Sequence, residues 1–229
     1  MQNKTIGILG AGKVGIVLAQ LAVRAGYNVI IAGSGSVEKI SLTIEVLAPG
    51  ATAMTAKDVT EKADIIILAL PLSKYLTIEK EGLKDKLVID AMNYWWEVDG
   101  FRTDLTNPLQ SSSELIQEFL PESHVVKAFN HMGYHDLLDE AVSKGTAGRK
   151  AIAVAGNETP MVRIVEEIVD TLGFDPLYIG DLTQGQRLEP GSDAFGANEE
   201  IQQLKSMIDA FDETERGQLI KQARSETTQ

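Results

Sequence analysis

The sequence contains no cysteine among its 229 residues. This absence excludes a disulfide framework, a thiol nucleophile and a thiolate-bound metal site. Long hydrophobic runs are also missing, since the apolar stretches at 65–70 and 151–155 are far too short to cross a bilayer. With 44% hydrophobic and 24% charged residues, the chain has the composition of a soluble globular protein. Its length suits one large domain, or one domain and a smaller appendage.

Positive charge is scarce as well. The chain has 21 Lys and Arg residues against 33 Asp and Glu residues, which gives a formal net charge of −12. Such a charge disfavours nucleic acids and anionic membranes as partners, so we expect neither. The first residues pass directly into an apolar run without a recognisable leader sequence, and we expect a cytoplasmic protein.

A phosphate site in so acidic a chain must be built locally, and a glycine motif near the N-terminus provides one. The apolar run at 5–9 leads into Gly10-Ala11-Gly12-Lys13-Val14-Gly15, which apolar residues at helical spacing follow. This order of strand, tight turn and helix is the context that a dinucleotide fingerprint requires. Gly10 allows the turn, Gly12 lets a pyrophosphate approach the backbone, and Gly15 lets the helix pack against the strand. The alternative is a glycine turn that binds nothing.

The residues after the second predicted strand, at 28–32, favour NADP over NAD. An NAD site usually has Asp or Glu here, about 20 residues past the glycines, to bind the ribose 2′-hydroxyl. This chain has Gly-Ser-Gly-Ser at 33–36, and the side chains of Ser34, Ser36 and Lys39 can bind a 2′-phosphate. Alternatively, the serines only form a turn and cap the next helix.

Further predicted strands alternate with predicted helices along the chain. The continuous apolar run at 65–70 is typical of a parallel strand that is covered on both faces. Its end borders the position at which open α/β sheets bind ligands, so Leu70 and Pro71 are candidates to contact the nicotinamide half of the cofactor. A strand that merely ends at a proline is an equal alternative. Asn93, at the end of the next strand, is a further candidate for cofactor binding.

Three consecutive aromatic residues, Tyr94-Trp95-Trp96, follow that strand in a chain with only 6% aromatics. Aromatic rings at a strand end can cover a planar ligand. They can also form core beneath the extended loop that we expect at 98–111, and we slightly favour the core. No internal repeat accompanies these elements.

The predicted strand at 124–130 ends at Asn130, and two histidines follow closely, His131 and His135. Histidine is the natural acid or base near neutral pH. Hydride transfer between two cofactors, however, needs alignment more than proton transfer. We therefore keep both histidines as secondary candidates and expect no obligatory proton donor or nucleophile. Histidines at i and i+4 could suggest a metal, but no ligand cluster accompanies them, so we expect no metal site.

Four blocks of the sequence together resemble one family. They are the glycine motif at 10–15, the run at 63–71, the block Val-Val-Lys-Ala-Phe-Asn at 125–130, and Leu-Gly-Phe-Asp-Pro at 172–176 with Arg-Leu-Glu-Pro at 187–190. In these blocks the chain resembles the NADPH-dependent reductases of coenzyme F420 (F420H2:NADP oxidoreductases) over about residues 4–190. The Lys-Ala-Phe-Asn and Arg-Leu-Glu-Pro blocks are the more specific parts.

The resemblance implies an α/β fold with a doubly wound parallel sheet of Rossmann type at 1–180. A short, mainly helical C-terminal segment at 181–229 would cover the substrate site, and the protein would be a homodimer. NADPH and a flavin-like or F420-type ring would stack for direct hydride transfer. The family usually has arginine where Gly35 stands here. The resemblance places Gly10, Gly12, Lys13 and Val14 at the pyrophosphate. It places Ser34, Ser36 and Lys39 at the 2′-phosphate, and Asn130 near the nicotinamide.

Three functional hypotheses follow. We favour an NADP-dependent oxidoreductase that transfers a hydride between NADPH and a flavin-like or deazaflavin acceptor. An imine or carbonyl reductase similar to pyrroline-carboxylate reductase would need a longer helical C-terminal domain than this polar tail. A dinucleotide-binding redox sensor without catalysis is the third hypothesis.

Overall fold

A computed structural model describes residues 4–227. Residues 1–3, which begin the predicted segment 1–180, and residues 228–229, which end the predicted segment 181–229, lie outside the described residues. The strands are β1 Thr5–Leu9, β2 Asn28–Ala32, β3 Ala51–Ala53, β4 Ile65–Leu68, β5 Leu87–Asp90, β6 His124–Lys127, β7 Ala151–Gly156 and β8 Asp175–Gly180. The α-helices are α1 Lys13–Arg24, α2 Glu38–Leu47, α3 Ala56–Lys62, α4 Trp96–Asp99, α5 Ser112–Phe119, α6 Tyr134–Asp139, α7 Thr159–Leu172, α8 Ile201–Asp209 and α9 Glu215–Thr227. Short 3₁₀ turns occupy Leu72–Thr77, Glu81–Leu83, Thr103–Leu105, Leu182–Leu188 and Ala210–Glu213.

The eight strands form one sheet in the order β3-β2-β1-β4-β5-β6-β7-β8. Strands β1 to β6 are parallel, whereas β7 pairs antiparallel with β6, and β8 runs parallel to β7. Apolar clusters cover both faces of the sheet, one including α1 and α7 and the other α3 and α5. The predicted Rossmann-type α/β fold is thus confirmed, with two strands reversed at one end.

The register of the central strands brings their carboxyl ends into one row. Leu9 pairs with Leu68, Leu68 with Asp90, and Asp90 with Lys127. The strand order reverses between β1 and β4, which is the position at which open α/β sheets bind ligands. The segments after β1, β4, β5 and β6 therefore emerge side by side at this edge.

Three of the predicted strands end two or three residues earlier than the apolar pattern indicates. After β4, β5 and β6, the amides of Ala69, Ala91 and Ala128 each make one more bond to the neighbouring strand, at 2.8, 3.0 and 3.2 Å. The chain then leaves the sheet. The apolar pattern continues beyond the strands because the next residues are still buried, Phe129 in one apolar cluster and Met92 in the other.

The C-terminal segment packs on the reversed end of the sheet. Its buried side chains Leu188, Leu204 and Ile208 share one apolar cluster with Ala151 and Ala153 of β7. The polar tail that we expected to be helical consists of α8 and α9. None of the helices over residues 4–227 combines the length and the apolar character that crossing a membrane requires.

Candidate functional site

Gly10 and Gly15 of the fingerprint are required by the packing of the turn itself. Gly10 has a φ of +120°, and a Cβ at this position would lie 2.3 Å from the carbonyl oxygen of Ala69. A Cβ on Gly15 would lie only 1.8 Å from the carbonyl oxygen of Gly10, which shows how closely α1 approaches the end of β1. Both positions therefore exclude every side chain, including alanine.

Gly12 differs from the other two glycines, because a Cβ there would have no atom within 4 Å. This residue is the N-cap of α1, it makes no side-chain capping bond, and the first turn of the helix carries no acidic residue. Backbone N–H groups at the start of a helix carry a partial positive charge and bind phosphates. The open space over Gly12 therefore fits the pyrophosphate of a dinucleotide.

Lys13 is exposed beside this turn, and its ammonium group contacts an aromatic ring. Its Nζ lies 5.1 Å from the ring centroid of Tyr134, at the start of α6. The Tyr134 ring in turn contacts the exposed ring of His135, with 4.1 Å between the two centroids. The cation–π contact places Lys13, Tyr134 and His135 in one cluster near the fingerprint. Ala11 and Val14, also expected there, are half-buried against the core.

The predicted 2′-phosphate residues Ser34, Ser36 and Lys39 are all exposed after β2. Lys39 folds back over Gly35, since a Cβ at position 35 would lie 3.0 Å from Lys39 Cδ and 3.4 Å from its Nζ. The Lys39 side chain thus occupies the space that a larger residue at position 35 would take. The cap of α2 is Val37 and makes no side-chain bond, so the serine cap that we considered does not form.

Glu38 is a carboxylate in this region that was not among the predicted site residues. A hydrogen bond from Ser36 lowers the pKa of the exposed Glu38 carboxyl group. Glu38 therefore brings negative charge to a serine that we expect to bind the 2′-phosphate. The sequence signal was present, because Glu38 follows Ser36 by two residues.

Asn93 and Asn130 meet at the ends of β5 and β6. Asn93 Nδ2 donates to the backbone carbonyl of Asn130 at 2.7 Å, and Asn130 Nδ2 donates to Asn93 Oδ1 at 3.0 Å. Asn130 Nδ2 also donates to the carbonyl of Leu188 at 2.8 Å. Before Asn130, the buried Phe129 has a φ of +64°, a strained conformation for a bulky residue. The strained turn and the C-terminal segment thus hold Asn130 in place.

Among residues 4–227, the amide oxygen of Asn130 finds no hydrogen-bond partner, although the residue is only 5% exposed. Its orientation is well determined, because both atoms that Nδ2 contacts are acceptors. A buried acceptor without a partner costs about 1–3 kcal/mol, and a ligand donor removes this cost. Asn130 Oδ1 therefore fits an amide donor such as a nicotinamide carboxamide.

His131 is part of the core rather than of an open site. Its side chain is 1% exposed, and Nε2 accepts a hydrogen bond from the backbone amide of Ala153 at 3.0 Å. Burial lowers the pKa of His131 to about 4, against a smaller opposing effect from the backbone of Ala194. His131 is thus neutral near pH 7 and satisfies an amide of β7. His135, by contrast, is exposed beside Lys13.

A buried ion pair lies directly behind the two asparagines. Lys127 is fully buried, and its Nζ lies 3.4 Å from Asp90 Oδ2, 3.2 Å from the Met92 carbonyl oxygen and 3.1 Å from Ser112 Oγ. Asp90 also accepts from Ser113 Oγ at 2.5 Å. Lys127 lies in one of the sequence blocks on which the family resemblance rests, but it was not among the predicted site residues. A charged residue in the middle of an apolar strand was the signal.

This polar network continues into the C-terminal segment. Glu189 Oε1 accepts from the backbone amide of Ser112 at 2.7 Å, and Glu189 Oε2 pairs with Arg216 Nη2 at 2.7 Å. The Arg-Leu-Glu-Pro block therefore connects α5 to α9, while its Leu188 carbonyl binds Asn130. The two most specific blocks of the sequence are in direct contact.

Of the aromatic cluster after Asn93, Tyr94 packs against the core, whereas the expectation of core is wrong for Trp95 and Trp96. Trp95 is 43% exposed and Trp96 is 63% exposed. The loop is nevertheless held, because Asp99 accepts from the amides of Ser73 and Trp95 at 2.8 and 2.7 Å. Trp95 contacts the ring of Phe195 with 5.7 Å between centroids. The expected extended loop at 98–111 contains the end of α4 and one 3₁₀ turn.

The end of β4 contributes backbone to the site. Leu70 is half-buried and Pro71 is exposed, and the amide nitrogen of Leu70 would lie 2.8 Å from a Cβ at Gly10. Leu70 is thus adjacent to the fingerprint turn. Among residues 4–227, no group of three or more acidic or histidine side chains is arranged to hold a metal ion.

Several known proteins are similar to this chain in sequence. Residues 5–94 match the family model described as NADP oxidoreductase, coenzyme F420-dependent. The metalloreductases STEAP3 of Rattus norvegicus and STEAP2 of Homo sapiens are each 24% identical to the chain over 188 and 187 residues. These matches cover 80% and 81% of the chain, but the chain spans only 35% of the length of either relative.

Solved structures share the fold over most of the chain. A hypothetical protein, SMa0349, from Sinorhizobium meliloti is 29% identical with a TM-score of 0.74, over 85% of this chain and 94% of its own. An F420-dependent NADP-reductase candidate from Arthrobacter sp. FB24 is 24% identical with a TM-score of 0.65, over 78% and 86%. Over residues 5–94, which contain the strand, glycine turn and helix at its N-terminus, the chain is similar to the coenzyme F420-dependent NADP oxidoreductases.

Proposed function

We propose that this protein transfers a hydride between NADPH and a flavin-like or deazaflavin acceptor at the carboxyl edge of β1, β4, β5 and β6. The observation that carries the proposal is the unpartnered, buried Oδ1 of Asn130 on the same sheet edge as the open backbone at Gly12. One position fits the carboxamide of a nicotinamide ring, and the other fits the pyrophosphate of the same molecule.

The residues of this site bind and orient rather than react. The start of α1 holds the pyrophosphate, with Lys13 beside it, and Ser34, Ser36 and Lys39 hold the 2′-phosphate. Asn93 fixes the amide of Asn130, which orients the nicotinamide ring. When bound, NADPH would supply a hydride, which the acceptor would take up together with one proton from solvent. Catalysis of this kind rests on alignment of two rings.

The remaining expectations belong to the same proposal. The segment at 181–229 covers the substrate site of the dinucleotide-binding domain at 1–180, and its contacts through Leu188 and Glu189 support this division. Leu70 and Pro71 contact the nicotinamide half. A small redox molecule is the partner, and the protein acts as a cytoplasmic homodimer.

Oxidation of NADPH and NADH should be followed by absorbance with a panel of F420, flavins, cyclic imines and ketones. We expect turnover with NADPH and a flavin-like ring. Turnover with imines or ketones alone would favour the imine or carbonyl reductase hypothesis. Tight NADPH binding without turnover of any acceptor would contradict catalysis and favour a redox sensor.

A further inference from the structure

A cleft of about 220 Å³ is lined in part by residues next in sequence to the contacts of Asn130. They are Tyr94, which follows Asn93, and Glu189, which follows Leu188. Because α5 begins at the carboxyl edge of the sheet and its Ser112 also lines the cleft, the cleft lies at the same edge as the proposed nicotinamide position. Its apolar wall comes from two separate segments: Leu105, Pro108, Leu219 and Ile220.

The polar side of the cleft is almost neutral. Arg216 is the one basic residue in its lining, and its charge is paired with Glu189 at 2.7 Å. Arg216 Nη1 donates to the carbonyl of Pro190. The Nε of Arg216 is buried and has no hydrogen-bond partner in the part of the chain that the structure describes. The cleft therefore offers an apolar surface and one unused N–H donor, with no unpaired positive charge for an anionic group.

We propose that this cleft receives the ring of the hydride acceptor, and that the acceptor is a neutral, planar ring system with a carbonyl oxygen. The proposal rests on the function proposed above and narrows its substrate class. A carbonyl oxygen of the ring accepts from Arg216 Nε, and the aliphatic wall covers the ring. An anionic tail on the acceptor gains nothing here, because Glu189 already neutralises Arg216.

The volume supports the same class of molecule. Ligand pockets for drug-sized molecules commonly measure roughly 300–1,000 Å³, so a smaller cleft suits a single ring system better than a molecule with a long tail. Helix α9 forms one wall through Arg216, Leu219 and Ile220. The C-terminal tail would thus determine which acceptor the enzyme takes.

The test compares the steady-state KM for riboflavin, for F420 and for the same deazaflavin without its anionic tail, with NADPH saturating. Leu219→Trp should fill the cleft, and its exposed position makes misfolding a minor concern. Ser225→Trp on the same helix is the matched control, because Ser225 is exposed and does not line the cleft. Arg216→Lys keeps a charge for Glu189 but removes the Nε donor.

We expect Leu219→Trp and Arg216→Lys to raise the KM for these rings about tenfold or more, with an unchanged Kd for NADPH. Ser225→Trp should behave like the wild type. Tail-bearing and tail-free deazaflavins should differ less than about threefold in KM, since the cleft has no unpaired cation for the tail. An unchanged KM in Leu219→Trp, or a tail that lowers the KM tenfold or more, would overturn the proposal.

A different result would show that the proposed function is wrong: the wild type would bind NADPH but would reduce none of the acceptors. In that case calorimetric titration of oxidised riboflavin into the protein with bound NADP⁺ decides the question of the cleft. Binding that Leu219→Trp abolishes and Ser225→Trp retains would support the cleft as a ring site. No binding to the wild type would overturn it.

Discussion

Replacing Gly12 by valine should abolish NADPH binding while the protein stays folded. Gly12 has φ −85° and ψ −171°, a conformation that any L-residue adopts. A Cβ there would have no atom within 4 Å. The new side chain therefore meets nothing in the free protein, and we expect the free energy of unfolding to change by less than about 1 kcal/mol.

The loss of binding follows from the same open space. The isopropyl group of valine would occupy the approach to the first backbone N–H groups of α1. Loss of two charge-assisted hydrogen bonds to the pyrophosphate, at roughly 1.5–3 kcal/mol each, amounts to about 3 kcal/mol or more. Since about 1.4 kcal/mol corresponds to a tenfold change, the Kd for NADPH should rise at least about 100-fold.

Fluorescence titration with NADPH and denaturant unfolding of the same preparations measure both quantities. Gly15→Ala is the contrasting variant, because its Cβ would lie 1.8 Å from the carbonyl oxygen of Gly10. This overlap should destabilise the fold by on the order of 3 kcal/mol. A stable Gly12→Val protein with unchanged NADPH affinity would refute the assignment of this turn, and an unfolded one would refute the packing argument.

Four further predictions follow from the same geometry. The first replaces three side chains together by alanine: Ser34, Ser36 and Lys39. This variant should lose about 1–3 kcal/mol of binding free energy for NADPH and little for NADH, and equal losses would contradict the 2′-phosphate role. Glu38→Gln removes a negative charge near that phosphate and should tighten NADPH binding about threefold to tenfold, with NADH unaffected, as titrations of both cofactors would show. Asn130→Ala should slow single-turnover hydride transfer by about tenfold or more, while His131→Ala and His135→Ala stay within about tenfold; a thousandfold loss in either histidine variant would instead indicate acid–base catalysis. Finally, the pKa of His131 in the folded protein, about 4, lies below its ordinary value of 6.5, so the unfolded chain binds the proton first as the pH falls. The stability that His131 contributes is complete above about pH 6.5 and is lost toward pH 4, and denaturation curves of wild type and His131→Gln should converge over that interval; parallel curves would contradict this linkage.

Local patterns in the sequence were sufficient for the fold class and for the glycine turn. The spacing of apolar residues distinguishes strand from helix over a few residues, and the second predicted strand has its observed bounds, Asn28–Ala32. The structural roles of Gly10 and Gly15 could be predicted because both lie in one six-residue turn between a strand and a helix. The geometry of that turn requires glycine at both positions. The reversal of β7 and β8 had no such local signal.

Apolar periodicity was misleading where burial continues beyond hydrogen bonding. Met92 and Phe129 are buried, as the pattern indicates, but they lie past the ends of β5 and β6. Trp95 and Trp96 have the large apolar side chains that are typical of core residues, yet both are exposed. Asp99 accepts hydrogen bonds from the amides of Ser73 and Trp95, and these bonds hold the loop in its observed position. Whether an aromatic residue is covered depends on segments that lie elsewhere in the chain.

The amino-acid sequence alone therefore determined the dinucleotide-binding fold, the glycine turn and a set of polar candidates at the strand ends. Only the tertiary structure decided which of these candidates meet: Asn130 with Asn93 and Leu188, and His131 with an amide of β7. It also formed the contact of Glu189 with Ser112, 77 positions earlier. Such pairs are separated by whole helices and strands, so their distances depend on how the layers pack, whereas periodicity and glycine conformation act within a single turn or strand.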